Sequence, residues 1–223
     1  MAYRQTPEVE ARLQDNRSRI LQAARALVSE GGWTEAQVAS VAAAAGIATG
    51  TVYRYFPSKA ELFAEVLALV SQREVDVLAA IARADGGATV RLHSAVATFV
   101  KRAMRNPRLA YALIAEPCDK EIDEVRLTYR AAISETIRAI VAEGQAAGEM
   151  RADVRADIAA TVIVGGFMEG LIGPLSPLNR QQESQAEAYR HDVAVLADQI
   201  ATLACASVAA AAGALRQLPR RRA

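Results

Sequence analysis

Hydroxyl, phenol and cationic groups crowd one short stretch, with Thr49, Thr51, Tyr53, Arg54, Tyr55 and Lys59 all inside residues 49–59. From Ala36 to Lys59 the chain has no carboxylate. A surface with donors and cations but no anions suits phosphate oxygens and the acceptor edges of bases. Thr51 and Arg54 can address base edges, Gly50 lets a backbone come close, and Tyr53, Tyr55 and Lys59 can reach phosphates. Other chemistries lack their residues. His93 and His191 are the only histidines, and neither follows a Glu by three positions, so the Glu-x-x-His pattern of di-iron bundles is missing. There is no phosphate-binding glycine loop, no paired histidines and no nucleophile elbow. Cys118 and Cys205 are too few for a metal cluster or a disulfide framework, which predicts a reducing compartment, the cytoplasm. The expectation is a protein without catalytic residues, metal or cofactor.

The elements that must position this stretch follow from periodicity. Asn16 can cap a helix whose apolar stripe is Ile20, Ala23, Ala24, Leu27 and Val28, and Gly31-Gly32 ends it. Thr34 can open a second helix with Val38, Val41, Ala42 and Ala45 inward, stopped by Gly46. A third runs from Ala48 to Phe56 with Val52 and Phe56 inward, and Pro57 closes it. Ser58 to Glu61 has the form of a capping box that starts a long helix carrying Leu62, Val66, Leu69, Val70, Val77 and Ile81. Further helices are expected at 89–106, 107–115, 119–145, 153–172 and 184–216, and no segment alternates with period two. The fold class is all-α. Pro57 divides three short N-terminal helices, residues 1–57, from a larger set of longer helices, residues 58–223, which the family resemblance given below makes a helix-turn-helix domain and a ligand-binding and dimerisation domain.

Composition agrees with this picture. Of 223 residues 52% are hydrophobic, 23% charged and only 5% aromatic, a composition that favours helices packed through small side chains. The net charge is +1, so any basic surface must come from distribution. The polar N-terminus predicts no signal peptide, and the apolar stretches at 158–168 and 200–215 are too short to span a membrane. The run Arg220-Arg221-Arg222 is expected to be a solvated tail.

A helix, a glycine turn and a second helix is the spacing of a helix-turn-helix, whose second helix enters the major groove. The run from Gly46 through Thr49, Gly50, Thr51, Val52, Tyr53, Arg54, Tyr55, Phe56, Pro57, Ser58 and Lys59 to Leu62 resembles the recognition-helix signature of TetR-type transcriptional regulators. The resemblance covers residues 17–67, including Gly31-Gly32-Trp33. It implies a homodimer that binds double-stranded operator DNA at a palindrome and releases it when a small molecule enters the C-terminal domain. Two positions depart from the pattern: Gln37 stands for a usual Thr or Ser, and Ala48 for the usual Ser cap, a loss of about 1 kcal/mol locally. The expected DNA-contacting residues are Gln37, Thr49, Gly50, Thr51, Tyr53, Arg54, Tyr55 and Lys59. Trp33 and Phe56 are core, and Tyr53 either packs inward or projects its hydroxyl.

Beyond the motif, apolar and aromatic residues on the middle helices outline an effector site: Leu67, Val70, Phe99, Met104, Tyr111, Phe167 and Met168, with Glu116, Cys118, Arg126 and Tyr129 as its polar members. Arg126 shares a stripe with Ile122, Val125, Tyr129 and Ile133. Its guanidinium therefore pairs with Glu116 or another internal carboxylate, or it meets the anion of an apolar effector such as a fatty or aromatic acid or its thioester. Small residues at Gly165, Gly166, Gly170, Ala197, Ala201 and Ala204, continued by Ala209 and Ala212, suit either internal packing or a four-helix seam between subunits, and the resemblance favours the seam. The alternative is a helical-bundle ligand-binding enzyme that uses its N-terminal helices only for packing.

Overall fold

A computed structural model of the chain describes residues 7–178 and 192–210. These form nine helices: α1 (Pro7–Glu35), α2 (Val38–Ala45), α3 (Thr49–Tyr55), α4 (Lys59–Ala82), α5 (Ala88–Ala103), α6 (Pro107–Ile114), α7 (Lys120–Ala146), α8 (Ala156–Leu175) and α9 (Val193–Val208). Among the described residues there is no strand, only an antiparallel bridge between Met150 and Ala209. The last predicted helix, 184–216, is described only as α9. Ala212 and the arginine run lie outside the described residues.

Several helix boundaries differ from the sequence expectation for local reasons. Asn16 caps nothing, because α1 begins at Pro7 and Asn16 lies in its middle. Within α1 the helical path breaks at Gly32, whose φ of 78° is open to glycine and strained for other residues. Thr34 does not open α2; Gln37 occupies the cap position without a side-chain bond and instead donates from Nε2 to the Thr34 carbonyl at 2.9 Å. The end of α2 is a Schellman turn: the Gly46 and Ile47 amides donate to the Ala43 and Ala42 carbonyls, with Gly46 left-handed at φ 65°. At α4 the Ser58 hydroxyl accepts from the Glu61 amide at 3.0 Å, as a capping box requires, but the Glu61 carboxylate takes up the Ser58 hydroxyl rather than its amide.

Two buried clusters organise the packing. The first joins α1–α3 to the N-terminal half of α4, to α6 and to the start of α7, through Ile20, Val28, Trp33, Val41, Val52, Leu62, Phe63, Leu109 and Ile122. Trp33 meets Phe63 edge-on, with ring centroids 5.8 Å apart. The second joins α5, α7, α8 and α9 around Leu92, Val96, Phe99, Ile137, Ile163, Phe167 and Leu171. Helix α8 is long and apolar enough to cross a membrane by length and composition, which the shorter stretch 158–168 concealed. It lies packed on α7 and α9, with Ile163, Phe167 and Leu171 inside the core.

Candidate nucleic-acid interface and effector cavity

The short helix α3 is held by Val52, which is fully buried, and by Phe56 at its end. The opposite side carries Thr49, Gly50, Tyr53 and Arg54, all exposed, with Thr51 and Tyr55 half-buried. Tyr53 is 47% exposed, so its ring projects outward rather than into the core. A side chain added at Gly50 would meet open space, so the backbone is bare there. Arg54 has no carboxylate partner among the described residues. Tyr55 is less free than expected: its ring packs on the first cluster and its hydroxyl accepts from Asn16 Nδ2 at 3.4 Å. Lys59 opens α4, with its ammonium 5.8 Å from the Phe63 ring centroid. Gln37 is exposed at the start of α2. Sequence reasoning missed Arg19, whose Nη2 donates to the Ala45 carbonyl at 2.6 Å and fixes the end of α2 ahead of the turn into α3.

A cavity of about 100 Å³ opens among α4, α5, α6, α7 and α8. Of the eleven residues expected there, Val70, Phe99, Arg126, Tyr129 and Met168 line it. The other six lie elsewhere. Leu67 belongs to the first buried cluster, and Met104 is buried in the second. Phe167 sits behind Phe99, with centroids 4.9 Å apart, and Tyr111 turns its ring toward the Arg108 guanidinium. Cys118 faces a crevice with Trp33 and Lys59, and burial pushes its thiol pKa up. Glu116 is bound into an ion pair with Arg108. The additional lining comes from Ser71, Glu74, Asn106, Leu109, Leu113 and Arg130. Arg130 was legible as the residue one turn beyond Arg126 on the same helical face.

Arg126 does not pair with the Glu116 carboxylate. Its Nε donates to the Leu113 carbonyl at 3.0 Å, and its Nη2 faces the carbonyls of Ala112 at 3.2 Å and Glu116 at 2.7 Å. Nη2 also lies 3.0 Å from Cys118 Sγ, and Nη1 is 3.0 Å from Asp123 Oδ1. The guanidinium thus caps the C-terminal end of α6, where unsatisfied carbonyls attract a cation. Of the partners expected for it, Glu116 is replaced by another carboxylate, Asp123, and by backbone carbonyls.

Glu116 and Arg108 form a clasp instead. Arg108 Nη2 and Nη1 donate to the two Glu116 carboxylate oxygens at 2.6 and 3.0 Å, with both side chains nearly buried. Arg108 Nη2 also donates to the Gly31 carbonyl at 2.6 Å, and Glu116 Oε2 accepts from the Trp33 amide at 3.2 Å. Trp33 Nε1 donates to the Ala112 carbonyl at 2.8 Å. A Cβ on Gly32 would fall on the Arg108 guanidinium. The pair therefore staples the broken end of α1 to α6 in a site that sequence spacing alone does not reveal.

The expected subunit seam also changes. Ala197 and Ala201 are fully buried and Ala204 nearly so, because this face of α9 packs against α5 and α8 within the chain. Close helix packing within the chain is what their small side chains serve. Gly165, Gly166 and Gly170 are exposed on α8, beside Ile158 and Val162, while α9 exposes Val195 and Leu203.

Residues 20–66 match the family model for bacterial regulatory proteins of the tetR family. The chain is 37% identical over 99 residues to the HTH-type transcriptional repressor KstR of Mycolicibacterium smegmatis, covering 44% of this chain and 48% of that protein. It is 34% identical over 117 residues to KstR of Mycobacterium tuberculosis, covering 50% and 53%. The chain thus spans about half the length of the curated relatives it matches. In fold it is similar to the transcriptional regulator FadR from Bacillus subtilis, crystallised in complex with stearoyl-CoA, with a TM-score of 0.72 at 19% identity over 85% of this chain and 98% of that one. The helical-bundle enzyme considered above has no counterpart among these proteins.

Proposed function

We propose that this chain, a TetR-type regulator by its N-terminal helices, is a ligand-responsive repressor that binds a palindromic operator as a homodimer in the cytoplasm and is released by a small, largely apolar effector. The DNA-reading unit is residues 1–57, with residues 58–223 binding the effector and the second subunit. Thr49, Thr51 and Arg54 face the major groove, Gly50 brings the backbone near, and Gln37, Tyr53, Tyr55 and Lys59 hold phosphates. The support is the carboxylate-free outward surface of α3 together with the KstR repressors that the chain resembles.

One observation carries the coupling between effector and DNA. Helix α6 presents Leu109, Ala110, Leu113 and Ile114 to the cavity, and the same helix is clasped to Gly31 and Trp33 through Arg108, Glu116 and Ala112. A ligand that enlarges the cavity must displace α6, and α6 cannot move without pulling on the turn that leads α1 into α2. Binding of a hydrophobic ligand is thereby converted into a change in the attitude of α2 and α3, a differential affinity of the kind allostery requires. The stearoyl-CoA of the similarly folded FadR supports an apolar acyl compound as occupant.

Fluorescence anisotropy with DNA from the gene's own upstream region tests the reading. Saturable, salt-sensitive binding at a palindrome is expected, weakened in Tyr53→Ala and Lys59→Ala. Absence of binding at moderate salt would leave the N-terminal helices with a packing role only.

A further inference from the structure

Three ionisable groups other than phenols line the cavity, Glu74, Arg126 and Arg130, and two of them are already matched. Glu74 is held bidentately by Arg102, at 2.6 and 2.8 Å. Arg126 is committed to Asp123, to Cys118 and to three carbonyls at the end of α6. Arg130 is different. Among the described residues it makes one hydrogen bond, from Nε to the Met168 thioether at 3.2 Å, a weak acceptor, and no carboxylate there pairs with it. Among those residues the four N–H groups on its two terminal nitrogens are left for another partner.

Position adds to chemistry. Arg130 lines both the inner cavity and an open groove between α7 and α8, whose charged members Glu135 and Asp157 are paired with Arg138 and Arg155. It stands at the neck between an apolar interior and solvent. The cavity lining is mostly apolar, with Phe99, Ile133 and Met168 able to contact an acyl chain or ring and Ser71, Asn106 and Tyr129 as its uncharged polar members. Through its planar fork a guanidinium can grip an oxyanion bidentately at little ordering cost.

We propose that Arg130 is the specificity residue of the cavity, selecting an apolar ligand that carries a terminal oxyanion, with the apolar part inside and the oxyanion at the neck. This rests on the reading of the cavity as the effector site and deepens it. Arg126, the residue that sequence periodicity favours, serves as the cap of α6. The ligand enters chain first, and its charged end never crosses the apolar lining.

Isothermal titration of the full-length protein with decanoate, decyl phosphate and decanol tests the assignment, with Arg130→Met as the variant. Decanoate is expected to bind at least about tenfold more tightly than decanol to the wild type. In Arg130→Met that preference should vanish while decanol binding persists, which also shows the variant folded and the cavity intact. The ratio of decanoate to decyl phosphate separates a carboxylate from a phosphate as the group gripped. Equal affinity for decanoate and decanol in the wild type, or an unchanged preference in Arg130→Met, overturns the role of Arg130 and leaves the cavity as an effector site. Failure of all three probes to bind overturns the reading of the cavity, and the Arg130 assignment with it.

Discussion

Arg54 and Lys59 differ in what surrounds them, and that difference separates reading from holding. Arg54 is exposed near the end of α3 with no internal partner, free to place its fork against a base edge. Replacing it by Ala is expected to cost about 1 to 3 kcal/mol and to relax specificity at one position in each half-site, measured by anisotropy on a set of single-base operator variants. Lys59 sits at the start of α4, where helix amides also favour an anion. Lys59→Ala should weaken all sequences alike and lower the slope of log K against log salt by about 1. A second residue-level prediction concerns Gly32. Its φ of 78° and the Arg108 guanidinium lying where a Cβ would go make Gly32→Ala both strained and clashing. A clear fall in thermal midpoint is expected, larger than for Gly50→Ala, where the added methyl meets open space.

Among the elements, α6 shows where physical reading of the chain succeeds and where it stops. Its extent was legible from Pro107, a residue that suits a first turn, while Asn106, given by periodicity to the preceding helix, is its cap and accepts from the Leu109 amide at 3.1 Å. Ser58 was legible as a cap, because a capping box is local. The partners of Arg108, Glu116 and Arg126 were not, since they depend on how a broken α1 and the start of α7 meet the end of α6. Periodicity turned Arg126 inward and left open an internal carboxylate as its partner, which is Asp123, but could not foresee the row of carbonyls beside it. It also marked Ala197, Ala201 and Ala204 as a close-packing face without saying whether the neighbour was α5 of the same chain or a second subunit. The clasp itself can be measured. Removing one member of a buried pair leaves a charge without compensation, so Glu116→Gln or Arg108→Met alone is expected to cost about 3 to 5 kcal/mol in urea unfolding. The double replacement should cost less than the sum of the two, the signature of direct coupling. In Glu116→Gln, decanoate bound in the cavity should also release operator DNA less completely than in the wild type, because the ion pair that orients Arg108 toward Gly31 is lost and α6 grips the turn less firmly.

At the scale of the whole molecule, the described residues leave aliphatic side chains uncovered on several elements, among them Leu69, Val90 and Leu127, and α8 and α9 both contribute to this surface. Ile158, Val162 and Leu203 are 52%, 62% and 71% exposed, while the inward side of the same helices is filled by Ile163, Phe167, Ala197 and Ala201. Aliphatic side chains so exposed lose roughly 25 cal/mol per Å² of favourable burial, a loss that a second copy of the chain would recover through a two-fold contact of like surfaces. A palindromic operator needs two reading heads about one helical turn apart, or a multiple of it, so dimerisation and operator binding stand or fall together. Val162→Glu combined with Leu203→Glu places charge on this outer side without entering the core. Sedimentation equilibrium should then show a folded monomer with unchanged helicity by circular dichroism, and operator affinity should drop by orders of magnitude. Ala201→Leu makes the opposite cut. Its methyls are forced into the packed contact between α9 and α5, so overpacking of about 1 to 3 kcal/mol should lower the thermal midpoint while leaving the subunits associated. Were Ala201→Leu to dissociate a dimer and the glutamate pair to leave it whole, the subunits would meet through the inner side of α9, and the outer side would have no part in their association.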